Sequence, residues 1–129
     1  MDRKKLLKRV LYFILLILVA NFIADKFYWY FSVWYFDMIM HFLGGLFLGL
    51  GLIWLLSSKN PFLELSLELI LKILAGVLLF GVFWEIFELL FNNIVAQNPF
   101  NYLDTSSDIF FDLSGGLCAI LYIWRKQLK

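Results

Sequence analysis

Four blocks of apolar sequence, each close to the length needed to cross a bilayer, constrain this chain more than anything else in it. They run over about Leu7–Ala24, Trp34–Leu56, Leu69–Phe91 and Ile109–Trp124. A helix needs roughly 17–25 predominantly apolar residues to span the hydrocarbon core. In lipid every backbone N–H and C=O must be satisfied within the segment, so such blocks can only become helices. The chain is 129 residues long and 63% hydrophobic, well above the roughly 45–50% of soluble domains. The expected fold is therefore all-α, a single transmembrane domain of four helices.

Charge orients the bundle. Arg3, Lys4, Lys5, Lys8 and Arg9 precede the first block, Lys59 lies between the second and third, and Arg125, Lys126 and Lys129 follow the fourth. Lys72 lies near the start of the third block, where it can snorkel to the same interface. Basic residues favour the cytoplasmic side, so both termini and the middle loop are expected there. The first block has the charge pattern of a signal peptide, but no small-x-small cleavage site precedes Asp25, so it is expected to remain as a helix. The setting expected is a multi-pass protein of a prokaryotic plasma or inner membrane.

Loop chemistry agrees with four helices. Ser57-Ser58-Lys59-Asn60-Pro61 reads as a turn, and Asn92–Leu103 carries the polar turn residues Asn92, Asn93, Asn98, Pro99 and Asn101. Glu64 and Glu68 read as solvated residues on an amphipathic approach to the third block. Phe27 to Phe36 contains eight aromatic residues in ten positions. Such rings prefer the headgroup level, as an interface anchor or as a lip holding an acyl or prenyl chain. Cys118 is the sole cysteine and cannot form an internal disulfide; a packed position inside the fourth helix is expected. No Gly-rich phosphate loop and no basic nucleic-acid surface is present.

The opposite interface is acidic. Asp25, Asp37, Glu85, Glu88, Asp104, Asp108 and Asp112 gather there with Lys26 as the lone cation. At about 1.5 Å of rise per residue, His41, Glu85 and Asp112 fall roughly 6–8 Å from the midplane, and Asp37, Glu88 and Asp108 roughly 12 Å from it. Asp104 is placed at the rim. Asp37/His41 and Asp108/Asp112 are i,i+4 pairs and Glu85/Glu88 is i,i+3, so each pair shares one helical face. Ionisable residues in a membrane bundle turn inward, so the three faces are expected to meet. Gly44, Gly45, Gly81, Gly115 and Gly116 lie about one turn deeper, where small residues allow close helix packing.

An interhelical hydrogen bond in lipid contributes only about 0.6 kcal/mol, against about 2.5–3.5 kcal/mol to insert one Asp near a helix centre. Helix packing alone therefore does not account for six such groups. Either a divalent cation binds, since carboxylates suit Mg²⁺, Ca²⁺ or Mn²⁺ and an added imidazole suits Zn²⁺ or Fe²⁺, or several carboxyls hold protons.

The stretch Tyr102-Leu103-Asp104-Thr105-Ser106-Ser107-Asp108-Ile109-Phe110-Phe111-Asp112-Leu113-Ser114-Gly115-Gly116 resembles the D-T-x-x-D-x-x-x-D-x-x-G signature of the YjdF-like small membrane proteins, themselves similar to the VanZ-like family. Asp37-x-x-x-His41-Phe42-x-Gly44-Gly45 and Trp84-Glu85-x-x-Glu88 match the earlier pieces in order. The resemblance covers about Asp37 to Ala119 and implies the same membrane fold and polar site. VanZ-like proteins are associated with glycopeptide resistance; this chain has Asp112 where that pattern has Asn.

Three functions fit these residues. The first is a metal-dependent enzyme acting on a lipid-linked headgroup. Asp37, Glu88, Asp108 and Asp112 would hold the cation, His41 or Glu85 would act as general acid or base, and a membrane lipid or lipid-linked molecule would be the partner. The D-x-x-x-D spacing is similar to that of integral-membrane prenyl- and alcohol-phosphotransferases. The second is a protein that binds or transports protons, cations or a cationic ligand, for which four helices would have to form a homo-oligomer. The third is a structural or regulatory subunit.

Overall fold

The computed structural model describes residues 2–59, 64–91 and 100–127. It is an all-helical bundle in the order α1 (Arg3–Phe27), α2 (Trp29–Ser32), α3 (Phe36–Lys59), α4 (Leu67–Phe91) and α5 (Tyr102–Gln127). Four of these, all but the single-turn α2, are long and apolar enough to cross a membrane.

Each long helix runs beyond its apolar block at one end or both, where local capping extends it, although α3 starts at Phe36 and not at Trp34. Asp2 Oδ1 accepts from the backbone N–H groups of Lys4 and Lys5 at 3.1 and 3.3 Å, starting α1 four residues before Leu7. The Asp2 carboxyl is held below the usual range, chiefly by the Lys5 N–H. The Ser66 hydroxyl accepts from the Leu69 N–H at the start of α4. Asn101 Oδ1 accepts from Leu103 and Asp104 at 3.2 and 3.4 Å, so α5 begins seven residues before Ile109 and carries Asp104 and Asp108 on helical backbone. The turn expected at Ser57-Ser58 is instead the last turn of α3. There both hydroxyls bond back to carbonyls of their own helix, Ser57 to Trp54 and Ser58 to Leu55. The rest of that loop from Asn60, and the polar loop expected at Asn92–Leu103 as far as Pro99, lie outside the described residues.

Between α1 and α3 the chain reverses within a few residues. Tyr28 takes a left-handed conformation (φ 57°) and its N–H closes α1 on the Ala24 carbonyl. The turn starts α2, and the aromatic segment splits accordingly. Trp29 and Tyr30 pack edge-on against Phe36, whereas Phe31 and Trp34 are exposed.

Helix α3 is the centre, packing against α1, α4 and α5, with its most extensive contact on α5. The apolar core lies toward the end that holds both termini: Leu6 and Val10 of α1, Leu50 and Ile53 of α3, Leu69, Ile73 and Val77 of α4, and Ala119, Ile120 and Ile123 of α5. Cys118 faces outward, contrary to the packed position expected. Its neighbours Ala119 and Ile120 take the inward stripe of α5, which turns Cys118 toward the lipid side. Lys72 is exposed and pairs with Glu68 one turn before it.

Midway along the bundle α3 and α5 touch backbone to backbone. A β-carbon on Gly45 would collide with the Asp112 carbonyl, and one on Gly115 with the Phe42 carbonyl. One on Gly49 would lie 2.7 Å from Ala119 Cβ. This close approach holds the two helices in one register, and that register sets the polar groups above it.

Candidate metal centre

Beyond the glycine contact, the first two turns of α3 and the second and third turns of α5 supply one histidine and three aspartates. His41 is 7% exposed, Asp112 5% and Asp108 2%, while Asp37 is half-buried. His41 joins them all. Its Nδ1 lies 3.3 Å from Asp112 Oδ1, and its Nε2 lies 3.9 Å from Asp37 Oδ1 and 3.8 Å from Asp108 Oδ2. The two layers read from helical rise are thus bridged by one ring, because its two nitrogens face different layers.

The Asp112 carboxylate is fixed from both sides. Oδ1 faces His41, and Oδ2 would lie 2.6 Å from a β-carbon on Gly81 of α4, so glycine at 81 makes room for it. If Nδ1 carries the ring proton it donates to Asp112, and Nε2 then turns a lone pair toward Asp37 and Asp108. A lone pair facing two carboxyl groups needs a proton, on Nε2 or on one of the carboxyls, or a metal ion between them. Among the described residues no Lys or Arg pairs with any of these aspartates.

A metal fits the donors. One ligand atom from each of Asp37, His41 and Asp108 can be chosen so that all three lie within 4.8 Å of one another. Ligands about 2.0–2.2 Å from a small divalent ion lie up to about 4.4 Å apart, so modest side-chain movement closes the set. The chain therefore contains a buried Asp/His cluster able to coordinate a divalent metal ion. Asp112 takes the place of the carboxylate that commonly orients a metal-binding histidine through its other nitrogen.

The remaining candidates lie around this group. Glu85, Glu88 and Asp112 are not part of the three-ligand set. Glu85 and Glu88 are half-buried on α4, and one Glu85 oxygen is fully buried without a hydrogen-bond partner among the described residues. Asp104 is exposed on the first turn of α5. Gly44 and Gly45 lie against Asp112, Gly115 against α3, and Gly116 against Val77 of α4.

Sequence reasoning missed one polar feature of this end. The Tyr30 hydroxyl donates to Asn21 Oδ1 at 2.7 Å, and Asn21 Nδ2 lies 3.5 Å from Asp25 Oδ2. Burial first, then Asp37, Asp25 and Glu88, push the Tyr30 hydroxyl up to about 12. Asn21 and Asp25 are i,i+4, and that spacing was the available signal.

No curated protein and no solved structure matches the chain. The family comparison gives no specific link to the YjdF-like or VanZ-like proteins. A model for DUF2238, described as a predicted membrane protein, matches residues 1–129, and the chain belongs to that family.

Proposed function

We propose that this protein is a metal-dependent membrane hydrolase or transferase acting on the headgroup of a lipid-linked substrate. The observation that carries this reading is the meeting of Asp37, His41 and Asp108 around a common point, with Asp112 holding the far side of the ring. Asp37, His41 and Asp108 would hold a divalent ion, which supplies Lewis acidity or an activated water when bound. Glu85, with an unpartnered buried oxygen beside this group, is the candidate general acid or base. The aromatic residues around Trp29 and Phe36 would seat the apolar chain of the substrate. The basic ends of α1 and α5 favour the cytoplasm, so the site opens toward the outer leaflet in this reading. The motif resemblance to YjdF-like and VanZ-like proteins supports a polar site in the same helices.

The decisive experiment is the metal content of the purified protein, compared with Asp108→Asn plus Asp112→Asn. Stoichiometric metal in the wild type and its loss in the double variant support the proposal. A metal-free wild type whose stability is unchanged by chelators overturns it. That result would favour the second reading, a proton- or cation-binding protein with a proton on His41 Nε2 between Asp37 and Asp108.

A further inference from the structure

The end of the bundle opposite the acidic site carries a second charged arrangement. Arg9 of α1 and Lys126 of α5 converge on one ring, their cationic groups 5.0 and 5.1 Å from the centre of Tyr122. Nearby, the Arg3 guanidinium lies 5.7 Å from the centre of Trp54 on α3. The two charges on Tyr122 are therefore within about 10 Å of each other. Among the described residues no carboxylate lies within ion-pair distance of Arg3, Arg9 or Lys126. Asp2 pairs with Lys5 and Glu68 with Lys72.

A π face attracts a single cation, but it does not neutralise two that repel each other. The backbones of α1 and α5 do not pack on one another, since α1 packs on α3, so Tyr122 lies between two helices that meet only through side chains. On the Arg9 side of α1, one and two turns further into the bundle, Tyr12 and Leu16 are exposed, as is Cys118 one turn before Tyr122 on α5. An anionic group bearing an apolar tail satisfies both halves: its charge meets the cations at the interface and its tail follows the apolar surface. Basic pockets between membrane helices are suited to such headgroups.

We propose that Arg9, Lys126 and Tyr122 form a binding site for the phosphodiester of an anionic membrane phospholipid. Arg9 and Lys126 contact the phosphate, and Arg3 on Trp54 extends the positive surface. The acyl chains lie along Tyr12, Leu16 and Cys118. The site is independent of the metal reading at the other end.

The test uses the full chain in neutral detergent with added phosphatidylglycerol, phosphatidylcholine or inorganic phosphate. Native mass spectrometry counts retained lipid and thermal unfolding reports stabilisation. Phosphatidylglycerol should be retained and should raise Tm by several degrees, whereas phosphatidylcholine and inorganic phosphate should do neither. Arg9→Gln plus Lys126→Gln should reduce retention at least about tenfold. Lys4→Gln plus Arg125→Gln, which removes the same charge from exposed positions at the same end, should leave retention intact. Equal retention by the Arg9/Lys126 variant overturns the proposal. So does equal loss in the Lys4/Arg125 variant, which would reduce the effect to bulk charge. An equal Tm shift from inorganic phosphate would make this a free-anion site and overturn the lipid assignment. If the Arg9/Lys126 variant does not fold, Arg9→Gln alone carries the test by the same criterion.

Discussion

Gly45 of α3 and Asp112 of α5 are in such close contact that the Asp112 carbonyl fills the space a β-carbon on Gly45 would take. The same residue that turns its carboxylate to His41 thus anchors its own helix through its backbone. Gly45→Ala must push α5 away, and overpacking of this kind costs about 1–3 kcal/mol, occasionally more. We expect a lower Tm together with weakened metal binding, because the shift carries Asp108 and Asp112 away from His41. Gly51→Ala is the control. Nothing lies within 4 Å of a β-carbon there, and Ala favours a helix by about 0.8–1.0 kcal/mol over Gly. It should leave Tm unchanged or raise it.

Asp108 and Asp112 are one turn apart, yet they face opposite nitrogens of His41. Asp108→Asn removes a ligand atom from the three-residue set and should abolish tight binding of Mn²⁺ or Zn²⁺. Asp112→Asn removes only the group that orients the ring, an effect typically worth about 10–100-fold in affinity, and should leave the stoichiometry at its wild-type value. Titration calorimetry of the two single variants separates these outcomes. Equal losses would place Asp112 in direct coordination.

Glu85 keeps a buried oxygen without a partner among the described residues, a condition that costs about 1–3 kcal/mol. A group retained at that cost is a candidate for chemistry. Glu85→Met should raise the Tm of metal-free protein and, under the proposed function, abolish turnover while leaving metal stoichiometry unchanged. A fall in Tm would show that Glu85 supports the fold through a contact that the variant loses.

Much of this arrangement was legible in the chain because lipid leaves few choices. Apolar blocks of spanning length must be helices, and Asp37, His41, Asp108 and Asp112 at i,i+4 spacing must turn toward each other. Side-chain reach was not legible. Depth measured along helix axes puts His41 in one layer with Asp112, whereas its ring also reaches Asp37 and Asp108 in the next. Hydropathy likewise hid the first turns of α5, where Asn101 caps a helix that opens on polar residues. Cys118 faces outward because a sulfhydryl is apolar enough for either side of a membrane helix, so composition could not orient it. The Tyr30–Asn21 bond depends on the left-handed turn at Tyr28, a conformation that a tyrosine side chain does not advertise.

That bond yields a pH-dependent expectation. Burial, with Asp37, Asp25 and Glu88 nearby, opposes a phenolate at Tyr30 and raises its folded value from 10 to about 12. Below pH 10 the hydroxyl is neutral in folded and unfolded chains alike, and its contribution to stability is fully present. Between about pH 10 and 12 the unfolded chain loses the proton while the folded chain keeps it, so stability falls as pH rises through that window. Above about 12 the folded hydroxyl ionises as well and can no longer donate to Asn21. Tyr30→Phe should therefore flatten the alkaline decline of Tm and remove the highest-titrating tyrosinate from the absorbance titration near 295 nm. It should also lower Tm slightly at neutral pH, by the roughly 0.5–1.5 kcal/mol a net hydrogen bond contributes. An unchanged alkaline profile in Tyr30→Phe would place the steep titration on another tyrosine and dissociate the Tyr30 hydroxyl from the acidic end of the bundle.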